Sequence, residues 1–125
     1  MKTFIFTCAC IALCIASQSS RARGAVNGGQ DSRKVVRIVV ERFRFTPDVI
    51  RVRRGQPLEL HLESDDTDHG FHVVGTEINR IIPKRGRGEL VVTVTLDSVG
   101  RHAFECSKVC GAGHEFMHGV IVVEE

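Results

Sequence analysis

Between Cys106 and Met117 the chain reads Cys-Ser-Lys-Val-Cys-Gly-Ala-Gly-His-Glu-Phe-Met, which puts two thiols, an imidazole and a thioether within twelve residues at spacings of four, four and three. Thiolate and thioether are soft donors that favour copper(I), and imidazole suits either oxidation state of copper, so the mixture is what a redox copper site needs. Zinc selects carboxylate or further Cys and His in preference to Met. Gly111 and Gly113 let the loop curl until donors from one short segment face one point. A copper site of this kind usually takes one more ligand from a distant strand, and Asp68-His-Gly-Phe-His72 offers it. His69 closes the acidic stretch 64–68 and precedes Gly70, which permits close backbone approach. His69 is therefore the expected remote ligand; His72, its nearest competitor, is given a structural role beside it. The competing reading of Cys106 and Cys110 is a disulfide, the usual fate of two cysteines in an exported chain. That reading leaves His114 and Met117 without a purpose at their spacing.

Other chemistry is missing from the sequence. There is no Ser-His-Asp set and no pair of catalytic carboxylates, and the glycines at 86 and 88 lack the Lys-Ser/Thr ending of a phosphate loop. Electron transfer is the one chemistry on offer.

The elements that must position these donors read as strands. After a polar, glycine-bearing arm at 25–34, apolar and polar residues alternate with a period of two nearly everywhere. Strands are expected over 35–45, around Ile50 and Val52, and over 58–62, where Leu58, Leu60 and Leu62 alternate with Glu59, His61 and Glu63. Four more are expected at 71–74, 89–96, 101–105 and 118–123, with turn signals between them. Seven or so short strands so spaced argue for a β-sandwich. His61 is expected to face solvent, and His102 and His118 to lie on the surface or beside the ligands. The basic residues of 33–54 alternate with apolar ones and read as the solvated, edge-protecting face of strands. The acidic stretch Asp65, Asp66 and Asp68 reads as an ordinary turn, or as a contact for a basic partner.

Length and composition bound the rest. A chain of 125 residues and 13.8 kDa has room for one hydrophobic core, and 42% hydrophobic with 26% charged residues is the balance of a folded globular protein. Met1-Lys-Thr is followed by apolar and small residues 4–16, a helix length of about 20 Å against a hydrocarbon core of about 30 Å. Residues 1–24 are thus expected to be a secretory signal peptide, the alternative being a short uncleaved anchor. Cys8, Cys10 and Cys14 belong to that segment, and only Cys106 and Cys110 follow it. From residue 25 onward fourteen Lys and Arg face fifteen Asp and Glu, a net −1. A nearly neutral chain without Trp or Tyr has neither the field nor the stacking surface for nucleic acid.

Phe45-Thr-Pro, Ile50-Arg-Val-Arg-Arg-Gly55, Asp68-His-Gly-Phe-His-Val-Val-Gly-Thr-Glu-Ile-Asn79, and Gly100 through the cysteine loop to Gly119-Val-Ile-Val-Val123 together resemble the copper A (CuA) domain of cytochrome c oxidase subunit II. The look is nearest to the ba3-type branch, and the resemblance covers roughly 40–125. It implies an all-β, cupredoxin-like Greek-key sandwich over 35–125 and a binuclear centre of two copper ions. Cys106 and Cys110 would bridge the coppers, His69 and His114 would each cap one, Met117 would be the axial ligand of one, and the backbone carbonyl of Lys108 that of the other. The family often has Glu or Gln at the position of Lys108; a carbonyl ligand survives that change. The resemblance further implies an exported, periplasmic electron-entry domain of an oxidase-like complex. It would take electrons from a c-type cytochrome and pass them to oxidase subunit I, with membrane association only through a partner or an uncleaved N-terminal segment. A freestanding soluble CuA carrier is the close alternative. A copper chaperone is the further one, disfavoured because Met1 and Met117 are the only methionines.

Overall fold

The computed structural model describes residues 32–125. The expected signal segment 1–24 and residues 25–31 of the expected arm lie outside it. The described chain forms nine strands: β1 Lys34–Glu41, β2 Arg44–Thr46, β3 Val49–Arg53, β4 Leu58–Ser64, β5 His69–Val73, β6 Asn79–Ile82, β7 Leu90–Val94, β8 Gly100–Glu105 and β9 His118–Glu124, with one 3-10 turn at His114–Phe116. They make two sheets, ordered β2-β1-β4-β7 and β3-β9-β8-β5-β6. The expected all-β sandwich is what forms. No helix among the described residues is long and apolar enough to cross a membrane.

Alternation decides which side of each strand is buried. In β4, Leu58, Leu60, Leu62 and Ser64 point inward while Glu59, His61 and Glu63 point outward, so one face of the sheet meets the core and the other meets water. Phe45 of β2, Phe71 of β5 and Phe104 of β8 meet across the sheets with ring centroids 5.2 to 6.1 Å apart, and all three are buried. Their edge-on and tilted contacts each add about 0.5–1.5 kcal/mol beyond area burial.

The strand expectations need two corrections. The run 35–45 is not one strand, because the chain turns at Arg42 and Phe43 and returns as β2, antiparallel to β1. β6 was not expected: it is the edge of its sheet, only Ile82 of its four residues is buried, and a strand with one inward residue shows no alternation. The basic residues in β1 to β3 and at their ends do lie on outer faces. Arg33, Arg37, Arg44, Arg51 and Arg54 pair with Glu59, Glu89, Glu41, Glu124 and Glu125.

Candidate metal centre

Three connecting segments, 42–43, 65–68 and 106–117, meet at one end of the sandwich. β8 ends at Glu105, so Cys106 is the first residue to leave the sheet, and its backbone N–H donates to the Met117 carbonyl at 3.0 Å. That bond closes the loop 106–117 at its base. Inside the loop, His114 N–H donates to Gly111 O and Met117 N–H to His114 O, both at 3.1 Å, so a single 3-10 turn presents His114 and Met117 to Cys110. Gly111 takes φ +146, a conformation that L side chains rarely adopt. His69 is the first residue of β5 and is fully buried.

The donors fall into two matching halves. Cys106 Sγ and Cys110 Sγ stand 3.8 Å apart, and both thiols are free. Cys106 Sγ lies 3.9 Å from His69 Nδ1 and 3.1 Å from Lys108 O. Cys110 Sγ lies 3.9 Å from His114 Nδ1 and 3.8 Å from Met117 Sδ. The donor atoms of His69, Cys106 and Cys110 all lie within 4.8 Å of one another. All six residues singled out in the sequence are thus brought together at one end of the sandwich. His72, as expected, is not among them; it points outward from β5 and meets Glu105.

The surroundings fix this arrangement. His69 Nε2 meets Asp66 Oδ1 at 2.7 Å, which turns the ring so that Nδ1 faces the sulfur. Partial burial pushes the Asp66 carboxyl up, but hydrogen bonds from His69 and from the backbone N–H groups of Arg42 and Thr67 outweigh it and hold the group at about 2. The Gly70 N–H donates to Cys106 Sγ at 3.4 Å. A Cβ at Gly70 would come within 2.6 Å of the backbone nitrogens of Ser107 and Lys108, so only glycine lets β5 and the loop approach this closely. Burial, and then the neighbouring Cys106 thiol, push the Cys110 thiol up to about 11. Metal binding must therefore displace a proton there.

Three participants were not read from the sequence. Arg42 bridges the halves: its backbone N–H donates to Asp66 Oδ2 at 3.0 Å and its Nε to the Cys110 carbonyl at 2.9 Å. Phe43 packs against Gly111 and Gly113, leaving no room for a Cβ at either. Asp66, read in the sequence only as part of an acidic turn, is directed at His69; its spacing of three before His69 was the available signal. Asp68 accepts from the Lys84 N–H and lies 3.9 Å from Lys108 Nζ.

This end of the molecule fits a soft metal: two thiols, a thioether and two imidazoles converge with most of their surface withdrawn from water. The cupredoxin-like domain family matches residues 4–123. The chain belongs to that family. It is also 39% identical over 85 residues to cytochrome c oxidase subunit 2 of Thermus thermophilus, an alignment covering 66% of this chain and 60% of that protein. The chain thus spans less than two thirds of that relative. Among solved structures, the periplasmic domain of subunit II of cytochrome oxidase (CoxB) of Bradyrhizobium japonicum superposes with a TM-score of 0.65 at 15% identity, covering 74% of this chain and 84% of that one. Auracyanin A, a blue copper protein of Chloroflexus aurantiacus, superposes at 0.60 and 17% identity, covering 74% of this chain and all of that one. At such identities these two likenesses establish the cupredoxin sandwich and nothing finer.

Proposed function

We propose that this cupredoxin domain holds a binuclear copper centre of the CuA type and moves single electrons as the entry domain of a cytochrome c oxidase-like complex. The observation that carries the reading is the pairing of donors about the two sulfurs: Cys106 with His69 and Lys108 O, Cys110 with His114 and Met117. A one-copper site uses one thiolate; here the second cysteine has its own imidazole and its own axial donor. A bound dicopper pair would supply one-electron exchange without an open substrate position. The chain's own part is restraint. Asp66 keeps a proton on His69 Nε2, Gly70 N–H hydrogen-bonds to sulfur, and Arg42 and Phe43 hold the loop against the sandwich. Burial of His69, Cys106 and Met117 excludes water from the sulfurs. Val109 and Phe116, 77% and 74% exposed, flank the ligands and offer an apolar contact to a c-type cytochrome.

The identity with subunit 2 supports an exported location and oxidase subunit I as electron acceptor. Purification from native membranes tests this: co-purification with subunit I supports the oxidase role, and recovery of the chain alone from the soluble periplasm identifies a freestanding carrier. Metal analysis and electron paramagnetic resonance of the oxidised, copper-loaded protein test the centre itself. Two coppers per chain and a seven-line mixed-valence signal are expected, and both are lost in Cys106→Ser and in Cys110→Ser. One copper with a four-line signal overturns the reading.

A further inference from the structure

Six histidines are available to this chain, and the structure accounts for four. His69 and His114 face the cysteines. His61 has a carboxylate on each ring nitrogen, Glu59 at 2.8 Å and Glu89 at 3.3 Å. His102 meets the Ser98 carbonyl at 2.8 Å. The two that remain, His72 and His118, stand in one row. His72 of β5 is the register partner of Glu105 of β8, and Glu105 is the register partner of His118 of β9. Register partners on adjacent antiparallel strands project to the same face with Cβ atoms about 4.5–5.5 Å apart. That face is the outer one, since the flanking Phe71, Val73, Phe104 and Gly119 are buried. The row is therefore imidazole, carboxylate, imidazole, with the carboxylate in the middle.

Three further observations mark the row as a binding surface. It lies along a cleft of about 540 Å³ that runs up to His114, Cys106 and Met117. Among the described residues no Lys or Arg lines that cleft, in a chain with many of both, and Glu115 adds a second carboxylate. His72 Nδ1 already lies 3.3 Å from Glu105 Oε1, while His118 makes no side-chain hydrogen bond to the described residues and is exposed, free to rotate inward. The three sets of donor atoms are not gathered as tightly as those of His69, Cys106 and Cys110.

We propose that His72, Glu105 and His118 form a second metal site, distinct from the thiolate centre, that takes one borderline divalent cation such as zinc(II) or copper(II). Two imidazoles and a carboxylate are the donors such ions select, and they leave positions open to water or to a ligand of an incoming protein. The thiolates, imidazole and thioether of the first centre select soft copper; the row selects by charge and nitrogen. It does not depend on how many coppers the thiolates hold.

The test is a calorimetric titration of zinc(II) into tag-free protein whose thiolate centre is already filled with copper. One zinc per chain is expected beyond the copper, with the copper spectrum retained. His72→Ala and His118→Ala should each weaken that zinc at least tenfold, Glu105→Gln should weaken it several-fold, and His61→Ala should leave it unchanged. The side chains of His72, Glu105 and His118 lie on outer sheet faces, so the zinc-free variants at these three positions should unfold at the wild-type temperature. The same zinc should persist in the Cys106→Ser/Cys110→Ser protein, which separates the row from the thiolate centre. The proposal is overturned if no zinc binds beyond the copper, if the zinc is lost with the thiols, or if His72→Ala and His118→Ala bind it as the wild type does.

Discussion

Asp66 shows how much one side chain contributes to the centre. Its two oxygens receive the Arg42 N–H, the Thr67 N–H and His69 Nε2, at 3.0, 2.6 and 2.7 Å. A carboxylate held on a ligand imidazole in this way fixes both the tautomer and the ring plane, and losing such a partner typically costs 10–100-fold in metal affinity. Asp66→Ala should therefore lower copper affinity by about that factor while the sandwich still forms. Competition against a chelator of known affinity measures the first, and far-ultraviolet circular dichroism the second. Wild-type affinity in that variant would show that packing alone orients His69. Lys108 illustrates the opposite case, because its carbonyl faces Cys106 while its exposed side chain reaches toward Asp68. The family's usual side chain can change there without loss of the donor.

At the scale of elements, the outer face of β4 and β7 carries an ionic cluster with a defined pH signature. His61 is raised above its ordinary 6.5, first by its hydrogen bond to Glu59 and then by that to Glu89. Glu59 is lowered below 4.5, first by the same His61 bond, against partial burial and with help from Arg33. A raised histidine stabilises fully below 6.5 and loses its contribution as pH climbs through its folded value. A lowered glutamate stabilises above 4.5 and loses its contribution as pH falls through its folded value. The cluster therefore contributes most between 4.5 and 6.5. His61→Gln should reduce the fall in unfolding temperature of the metal-free protein above pH 6.5, as read from thermal melts across pH 5–9. Equal slopes in variant and wild type would exclude the cluster as the cause.

On the scale of the whole molecule, the metal centre and the core are built from the same residues. Cys106, Cys110 and Met117 belong to the buried cluster that contains Phe45, Phe71 and Phe104. Copper bound only by the folded chain stabilises it by mass action, about 2.7 kcal/mol at a hundredfold excess over Kd. For a domain of this size each kcal/mol moves Tm by about 4–8 °C. Removing copper with a chelator should thus lower Tm by at least about 10 °C, and re-addition should restore it. Calorimetry of loaded and stripped protein measures the difference; a Tm indifferent to copper would mean that folded and unfolded chains bind it alike.

The sequence by itself determined which candidate donors the loop gathers, because Cys106, Cys110, His114 and Met117 lie in one short segment whose spacing limits how far apart they can be. It also determined the sandwich, because period-two burial is written directly into strands such as β4. Gly70, which marks the close approach beside His69, was legible too, whereas the start of β5 at His69, which sends His69 and His72 to opposite sides, was not. Only the tertiary structure decided what crosses between segments. Arg42 and Cys110 are 68 positions apart, and no local pattern records their hydrogen bond. Asp66 reads as one carboxylate in an acidic turn until β5 places His69 against it. β6 has a single inward residue and leaves no periodic trace, and the row His72, Glu105, His118 exists only through the register of three strands. Short-range spacing is fixed by covalent geometry, whereas contacts between distant segments are fixed by which strands pair and in what register.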